Sequence, residues 1–589
     1  MSNKKILSGN EAVAYSAYKN GINVLSSYPG TPSTEIPEII GKLFPEIYAE
    51  WSVNEKVGTE VAVGASIAGA RSMTTFKHVG FNVAMDPFMT FAYVGANGAM
   101  ILCSCDDPGM HSSQNEQDNR GLAKFAGVPM FEPSDSQEAY DMFGEAIKVS
   151  EMFQIPVVFR MTTRVCHSSS VVDLGDFTRV EKKHEYKKDV LKNCPIPAFA
   201  RKQKVVHTEK VKKMREYSEN CPLNFTEKGD NIGIITSGVT YNYVKEVMPQ
   251  ASVLKLGMTY PLPYEKIKAF AKSVDKVYVA EEGDPYLEDQ IKAIGVEVSE
   301  SNVSLKIGEL NPNRLNDFAN DIYGKEVAVY PEPIKGLPGR PPSLCPGCSH
   351  RPIFYALNKL GCMVAGDIGC YSLGLMAPLN ALDSIICMGG GISNSYGYER
   401  SGNIDKPIVG IVGDSTFFHS GITGLVNMVY NKSKGTVIVT DNRITAMTGH
   451  QDNPGSGKTL MGEDTVAVSI EEVCKGIGVK RVRTVDPYNI QETIDVIKEE
   501  INTPELSVIV AKHPCMIGGK IKTVRRFEVD SEKCKACGMC FKLGCTAIER
   551  GEAVDEAKGR FKSKINPVLC VGCGMCSQLC KFGAIVEKK

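Results

Sequence analysis

Two short apolar runs in the C-terminal half of the chain each end in a pair of polar residues. Residues 408–412 (IVGIV) lead into Gly413-Asp414, and residues 436–440 (TVIVT) lead into Asp441-Asn442, with a helix-like segment between them. This order predicts a βαβ unit, whose parallel strands bring both polar pairs to the same edge of a sheet. Open α/β sheets bind ligands at that edge, so the region is predicted to be an α/β domain with a site there.

The side chains at this edge suit a hard cation beside a phosphate. Asp and Asn oxygens are ligands that Mg²⁺ accepts while it keeps positions free for substrate phosphates. Glycine at position 413 lets the backbone approach a diphosphate, and the helix after it offers free N–H groups. An ordinary βα turn followed by an ordinary strand end is the alternative interpretation of the same residues.

Composition narrows the class of protein. The 589 residues are enough for about four domains. Hydrophobic residues make up 43% and the formal net charge is −1, which gives no reason to expect nucleic-acid binding. The sequence contains no apolar run of membrane-spanning length and no signal-like N-terminus, so we expect no membrane association. Twenty cysteines are unusual, and eight of them between Cys534 and Cys580 argue for metal sites in a reducing cytoplasm.

The pattern along the chain predicts five parts. Residues 1–180 and 343–520 alternate apolar runs with helix-like segments, which predicts α/β domains with doubly wound parallel sheets. Residues 229–330 predict a smaller α/β domain with strands that include 252–256 and 276–280. Residues 181–228 form a charged connecting segment, predicted to be helical or irregular, and a proline-rich linker covers 330–342. Residues 528–589 form a cysteine-rich module with an internal repeat, predicted to be a small α+β domain.

The cysteine-rich module has two runs with short, fixed spacing. They resemble a bacterial two-cluster ferredoxin, in which the fourth cysteine of each run ligates the cluster of the other run. That resemblance implies two [4Fe–4S] clusters, one held by Cys534, Cys537, Cys540 and Cys580, the other by Cys570, Cys573, Cys576 and Cys545. The first run departs from the common pattern, because four residues separate Cys540 from Cys545 and Thr546 stands in place of proline. Zinc in one or both sites is the alternative.

Four further cysteines lie around the first site. Cys345 and Cys348 open the 343–520 domain, Cys370 follows, and Cys515 closes it. Their order resembles the cysteines that hold a cluster beside the thiamine cofactor in pyruvate:ferredoxin oxidoreductases, which implies a third cluster. The alternative is buried thiols, since free cysteine is among the most buried residue types.

The glycine, aspartate and asparagine, with Asn442 placed 28 residues after Asp414, resemble the diphosphate-binding signature of thiamine diphosphate enzymes. The resemblance implies Mg²⁺ held by the side chains of Asp414 and Asn442 and by the carbonyl of Ile444, with Gly413 and Ser415 at the cofactor. Ser415 replaces the usual second glycine of the motif and leaves the metal ligands in place.

The N-terminal domain offers the catalytic residues that such an enzyme needs. Pyruvate:ferredoxin oxidoreductases carry a glutamate that activates the cofactor, and the segment Asn-Glu-Lys-Val-Gly-Thr-Glu around Glu55 is similar to it. Glu60 is the competing candidate, and a helix-terminal glutamate favoured by the dipole is the structural alternative. The loop YPGTPS resembles the substrate-carboxylate loop of the same superfamily, which implies that Thr31 grips a 2-oxoacid.

Taken in order, these motifs resemble the alpha subunits of indolepyruvate:ferredoxin oxidoreductases. The resemblance implies oxidative decarboxylation of arylpyruvates with coenzyme A, electron transfer to ferredoxin, a smaller beta subunit and a dimer of heterodimers. A pyruvate or branched-chain 2-oxoacid enzyme is one alternative. A non-oxidative decarboxylase with a docking ferredoxin module is another.

Overall fold

The computed structural model describes residues 3–182, 184–327, 334–519 and 525–588. The chain divides into two compact units, residues 1–335 and 336–589. Within the described ranges, no helix combines the length and apolar character needed to cross a bilayer. The first four residues of the predicted linker, 330–333, and the predicted domain-end residues 520 and 589 lie outside the described residues.

The first unit alternates strands and helices. Its strands are β1 (Lys4–Ser8), β2 (Val24–Ser27), β3 (Tyr48–Trp51), β4 (Ser72–Lys77), β5 (Met100–Asp106), β6 (Met130–Phe131), β7 (Val157–Thr162), β8 (Ser169–Asp173), β9 (Asn224–Glu227), β10 (Ile232–Ser237), β11 (Ser252–Leu256), β12 (Met258–Tyr260) and β13 (Lys276–Ala280). Its helices are α1 (Gly9–Lys19), α2 (Glu35–Leu43), α3 (Glu55–Ile67), α4 (His78–Val83), α5 (Met85–Val94), α6 (Arg120–Ala126), α7 (Ser136–Phe153), α8 (Thr163–His167), α9 (Val190–Asn193), α10 (Pro197–Asn220), α11 (Thr240–Val247), α12 (Tyr264–Ala271), α13 (Tyr286–Ala293) and α14 (Pro312–Tyr323).

Two sheets form the centre of this unit. The larger has the order β12-β6-β7-β5-β4-β2-β3 and is parallel except at the β12–β6 edge. The smaller has the order β13-β10-β11-β9. One apolar cluster, including Phe76, Leu102, Ile235 and Leu254, joins residues of both sheets. The predicted strands at 252–256 and 276–280 are confirmed with their bounds unchanged.

The segment 181–228, predicted to be helical or irregular, contains the 24-residue helix α10. Its few buried positions include Gln203, His207 and Met214, and the rest of its length is mostly charged and exposed. A helix of this composition is stable when a narrow stripe packs against a neighbour, here α5 and α12.

The second unit contains the βαβ unit that the sequence predicts at residues 408–440. Its strands are β14 (Met363–Gly366), β15 (Ser384–Ile385), β16 (Ile408–Gly413), β17 (Thr436–Asp441), β18 (Arg481–Val485), β19 (Ser507–Lys512), β20 (Phe527–Val529), β21 (Ile548–Asp555), β22 (Arg560–Ile565) and β23 (Ile585–Glu587). Its helices are α15 (His350–Leu360), α16 (Gly390–Ser401), α17 (Asp414–Thr416), α18 (Ile422–Tyr430), α19 (Ile470–Ile477), α20 (Ile490–Ile501) and α21 (Met575–Leu579).

The main sheet of this unit has the order β15-β14-β16-β17-β19-β18, and every pairing is parallel. Separate apolar clusters contain Ile411 and Val412, consecutive residues that point to opposite faces, so both faces of the sheet are covered. The continuous apolar runs of β16 and β17 are typical of parallel strands buried on both faces. The predicted parallel α/β fold with a small C-terminal α+β module is confirmed, and the module contains the two-stranded sheets β20-β23 and β21-β22.

Candidate functional site

The polar pairs that follow β16 and β17 lie at one edge of the sheet, as the βαβ pattern predicts. Gly413 is in register with Thr440 on the neighbouring strand, so Asp414 and Asp441 follow side by side. Asp414 is buried and begins a helical segment with a π-turn at Phe417–Gly421. Such turns are rare and are frequent at functional sites.

The structure brings the three predicted Mg²⁺ ligands together. The Ile444 amide donates to Asp414 Oδ2 at 3.1 Å and lies 3.2 Å from Asn442 Oδ1. Arg443 between them adopts a left-handed backbone with φ of 64°, which turns the chain back toward Asp414. Asn453, which the sequence did not single out, donates to Asp414 Oδ2 at 3.2 Å. Burial, with the charge of Asp441 as the next cause, raises the pKa of Asp414 to about 7.

A second buried carboxylate, Asp367, was also missed as a site residue. It follows β14 and accepts hydrogen bonds from the amides of Gly389 (3.0 Å) and Gly391 (2.9 Å) at the start of α16. Burial raises the pKa of Asp367 to about 7. The available signal was its position in Gly-Asp-Ile-Gly-Cys, directly after a short apolar run, the same pattern that identified Asp414.

The packing around position 413 also requires a glycine there. A Cβ at this position would lie 2.5 Å from Cε1 of Tyr371, so no larger residue fits without displacing that ring. The Tyr371 hydroxyl lies 2.5 Å from Thr416 Oγ1 and donates to the Ile368 carbonyl at 2.7 Å. The glycine is therefore required by the tyrosine, in addition to the predicted approach of a diphosphate.

In the first unit, Glu55 is the first residue of α3, and its exposed fraction is only 6%. It packs against Gly80 of α4, where a Cβ would lie 2.6 Å from its Cγ and Oε1. The competing candidate Glu60 is about half exposed and pairs with Lys56 at 3.1 Å along the same helix. Burial against another helix favours Glu55 over Glu60 as the functional carboxylate.

Thr31 lies in the turn that precedes α2. The Thr34 hydroxyl accepts from the Gly30 amide at 3.1 Å, and a Cβ on Gly30 would lie 3.0 Å from Cβ of Lys77. Lys77, which no sequence pattern identified, thus lies beside this loop at the end of β4. Its ammonium donates to the Ser112 carbonyl at 2.6 Å, and within the part of the chain that the structure describes it forms no ion pair. Burial lowers the pKa of Lys77 to about 8.

The cysteine-rich module uses glycines to turn sharply around its thiols. Gly538, Gly544, Gly572 and Gly574 all have left-handed backbones, with φ between 62° and 76°. Burial raises the pKa of Cys576 to about 12, and the neighbouring thiols of Cys573, Cys545 and Cys570 add to this shift. Cys540 of the first run also contributes, so the two runs lie near each other.

The contacts within the other predicted ligand set, which contains Cys534, Cys537, Cys540 and Cys580, are fewer. Burial raises the pKa of Cys540, with smaller contributions from Cys537 and Cys534, and its Sγ lies 2.9 Å from the Ser563 hydroxyl. Cys580 packs in the same apolar cluster as Cys540. Across the described ranges, no three His, Cys, Asp or Glu side chains converge closely enough to qualify as a metal-binding group, so the ligand sets stay predictions.

The four upstream cysteines also approach one another. Burial raises the pKa of Cys348 to about 12 and that of Cys370 to about 11, and thiols from this set, including Cys345 and Cys515, add to both shifts. The Cys515 amide donates to the Asn442 carbonyl at 3.1 Å, which ties this set to the carboxylate edge. Of this set, Cys515 is therefore the member that a hydrogen bond places beside the predicted Mg²⁺ ligands, and the four thiols do not converge as a metal-binding group among the described residues.

Family models define the class of this fold and site. Residues 367–511 match the C-terminal TPP binding domain of thiamine pyrophosphate enzymes. Residues 15–227 match the thiamine diphosphate-binding domain of pyruvate flavodoxin/ferredoxin oxidoreductases, and residues 563–586 match the 4Fe–4S binding domain. Together these matches define a thiamine diphosphate-dependent 2-oxoacid:ferredoxin oxidoreductase.

Relatives narrow this class further. Indolepyruvate oxidoreductase subunit IorA from Pyrococcus horikoshii is 38% identical, and the alignment covers 99% of this chain and 96% of the relative. The same subunit from Archaeoglobus fulgidus is 40% identical over 100% and 98%. A solved 2-oxoglutarate:ferredoxin oxidoreductase from Magnetococcus marinus matches with a TM-score of 0.46 at 19% identity, covering 55% of this chain and 66% of its own. The chain belongs to the family of indolepyruvate oxidoreductase subunits IorA, and it is an oxidoreductase subunit.

Proposed function

We propose that this chain is the alpha subunit of an enzyme that oxidatively decarboxylates arylpyruvates. The substrates are indole-3-pyruvate and phenylpyruvate-type acids, and the products are the aryl-acetyl-CoA, CO₂ and two electrons for ferredoxin. The observation that carries the proposal is the close placement of Asp414, Asn442 and Ile444, with Cys515 hydrogen-bonded to the Asn442 carbonyl. The name of the relatives supports the arylpyruvate substrate.

The residues around Asp414 fit a magnesium diphosphate. Asp414 is a buried carboxylate, and its partners are amides rather than cations, so a bound Mg²⁺ supplies the missing positive charge. Asn442 and the Ile444 carbonyl would complete the protein ligands of Mg²⁺, and Gly413 and Ser415 would bind the diphosphate. When bound, thiamine diphosphate supplies the nucleophile and the electron sink for decarboxylation.

In the N-terminal domain, we assign Glu55 the role of the carboxylate that activates the pyrimidine ring of the cofactor by favouring its imino tautomer. Thr31 binds the substrate carboxylate, and we assign Lys77 to the same task because its partly buried ammonium forms no ion pair among the described residues, although the Asp107 carboxylate acts on it from a longer distance. An ammonium that donates to a carboxylate forms a charge-assisted hydrogen bond, which is stronger than a neutral one.

Electrons leave through iron–sulfur clusters. The proposed ligands are the two interleaved sets in the cysteine-rich module and a third set of Cys345, Cys348, Cys370 and Cys515. A smaller beta subunit completes the enzyme, with a dimer of heterodimers as the assembly, an external ferredoxin as the acceptor and the cytoplasm as its location. The likeness to subunits that carry the IorA name supports the need for a partner chain.

An anaerobic cluster-reduction experiment tests the function. The chain is purified with its partner subunit and mixed with thiamine diphosphate, Mg²⁺, coenzyme A and indolepyruvate, while absorbance near 400 nm and EPR are recorded on one sample. We expect bleaching that requires both substrate and cofactor. Aldehyde production without bleaching would favour a non-oxidative decarboxylase, and faster turnover of pyruvate than of indolepyruvate would refute the proposed substrate.

A further inference from the structure

Arg351 is a buried cation in an unusual place. It lies in the first turn of α15, its exposed fraction is 2%, and the partial positive charge of a helix N-terminus disfavours a cation there. Within the described ranges, no aspartate or glutamate forms an ion pair with it. A buried charge without a counter-charge is strongly destabilising, so this position requires an explanation.

The Arg351 guanidinium donates hydrogen bonds to backbone carbonyls in two loops that precede or contain cysteines. On one side it donates to the Leu344 carbonyl and, at 3.0 Å, to that of Cys345. On the other side it donates to the carbonyls of Leu543, at 3.0 Å, and Gly544, just before Cys545. These neutral acceptors satisfy its hydrogen bonds but leave its charge uncompensated.

The nearest ionisable groups are thiols. Burial lowers the pKa of Arg351. The thiols of Cys545, Cys348, Cys345 and Cys573, in decreasing order of effect, favour the charged guanidinium and oppose this shift. The loop that carries Cys345 and Cys348 also touches the second cysteine run, because a Cβ on Gly347 would collide with the Val571 side chain, between Cys570 and Cys573. Arg351 therefore lies between the third cysteine set and the second ferredoxin set, and among the contacts of the described residues none places it beside Cys534 or Cys537.

We propose that the Arg351 guanidinium is the counter-charge for the two iron–sulfur clusters on either side of it, and that it raises their reduction potentials. This inference rests on the proposed function, because it requires clusters at both sets. A fixed positive charge favours the reduced cluster, which carries one more negative charge, and low dielectric surroundings strengthen the effect. Arg351 is a positioning and tuning residue, since it contacts the loops that hold the ligands rather than the substrate.

Two variants of Arg351 distinguish the effect of its charge from the effect of its hydrogen bonds. Arg351→Gln removes the charge, whereas Arg351→Lys keeps it and loses most of the hydrogen bonds to the two loops. The holoenzyme is titrated with dithionite and mediators, and the midpoint potential of each cluster is followed by EPR. We expect Arg351→Gln to shift two clusters to more negative potentials, with the cluster at Cys534, Cys537 and Cys540 unchanged as an internal control. Arg351→Lys is expected to stay near wild type.

Each possible result of the Arg351 experiment either supports or contradicts the proposal. Iron lost from the two flanking sites in Arg351→Gln but kept in Arg351→Lys would also support the proposal, because charge and not bonding then retains the clusters. Potentials unchanged in Arg351→Gln would overturn it, as would equal effects of both variants, which would indicate a purely structural arginine. Wild-type protein without iron–sulfur EPR signals would overturn the proposed function together with this inference, and iron analysis identifies that case.

Discussion

Replacing Gly80 with alanine is expected to damage the site while leaving the fold intact. The new Cβ would lie 2.6 Å from Cγ and Oε1 of Glu55, whereas carbon atoms in contact prefer a separation of about 3.5 Å or more. The Glu55 carboxylate must therefore move by roughly 1 Å. Gly80 lies in α4, where alanine is favoured over glycine by up to about 1 kcal/mol, so helix propensity does not oppose the change.

A displacement of that size has a large catalytic cost. A misplacement of about 1 Å can reduce a rate by about 10²-fold, and loss of a general acid–base group costs about 10²- to 10⁴-fold. We expect Gly80→Ala to lower substrate-driven cluster reduction by about 10²-fold. Glu55→Gln is expected to lower it at least as much. The melting midpoint and iron content should match wild type in both.

Gly64 provides the matched control. It lies in α3, the helix that begins with Glu55, and a Cβ there would meet nothing within 4 Å. Gly64→Ala should keep full activity and stabilise the helix slightly. Wild-type turnover by Gly80→Ala or by Glu55→Gln would refute the assignment of Glu55 as the carboxylate that activates the cofactor.

Three other perturbations test separate parts of the molecule. Asp414→Asn should weaken magnesium-dependent thiamine diphosphate binding at least about tenfold, measured by calorimetry, because a charge-assisted ligand is lost. Lys77→Gln should raise the KM for arylpyruvates by about tenfold to a hundredfold with kcat little changed, since a charged hydrogen bond contributes about 1.5–3 kcal/mol. Glu282 is buried, and burial raises its pKa from 4.5 to about 7, so the folded state resists ionisation as pH rises from 4.5 to 7. Glu282→Gln should therefore stabilise the protein more at pH 8 than at pH 5, by up to about 3 kcal/mol in denaturant unfolding.

Exposed residues of the same types serve as controls. Asp464→Asn, Lys42→Gln and Glu300→Gln alter side chains at the surface and should leave binding, KM and stability near wild type. Unchanged cofactor affinity in Asp414→Asn, or an unchanged KM in Lys77→Gln, would remove that residue from the proposed site. A stability gain that is the same at both pH values would contradict the ionisation argument for Glu282.

Much of the fold could be predicted from local patterns. β11 and β13 were predicted residue for residue, and β16 and β17 were each one residue longer than predicted. These strands are buried, so their apolar, β-branched runs stand out from the flanking turns. β12 was missed because it is only three residues long, and its place at the sheet edge depends on antiparallel pairing with β6, more than a hundred residues earlier.

The sequence by itself determined the chemistry that depends on spacing. The proposed oxygen ligands at the ends of β16 and β17 and the short cysteine repeats follow from chain positions, since the carboxyl ends of parallel strands share an edge and a short loop can wrap only a small group. Only the tertiary structure decided which distant residues meet: Gly80 with Glu55, Lys77 with the Thr31 loop, and Arg351 with two cysteine loops. Those contacts arise from strand order and helix packing across long separations, and they leave no periodic signal in the chain.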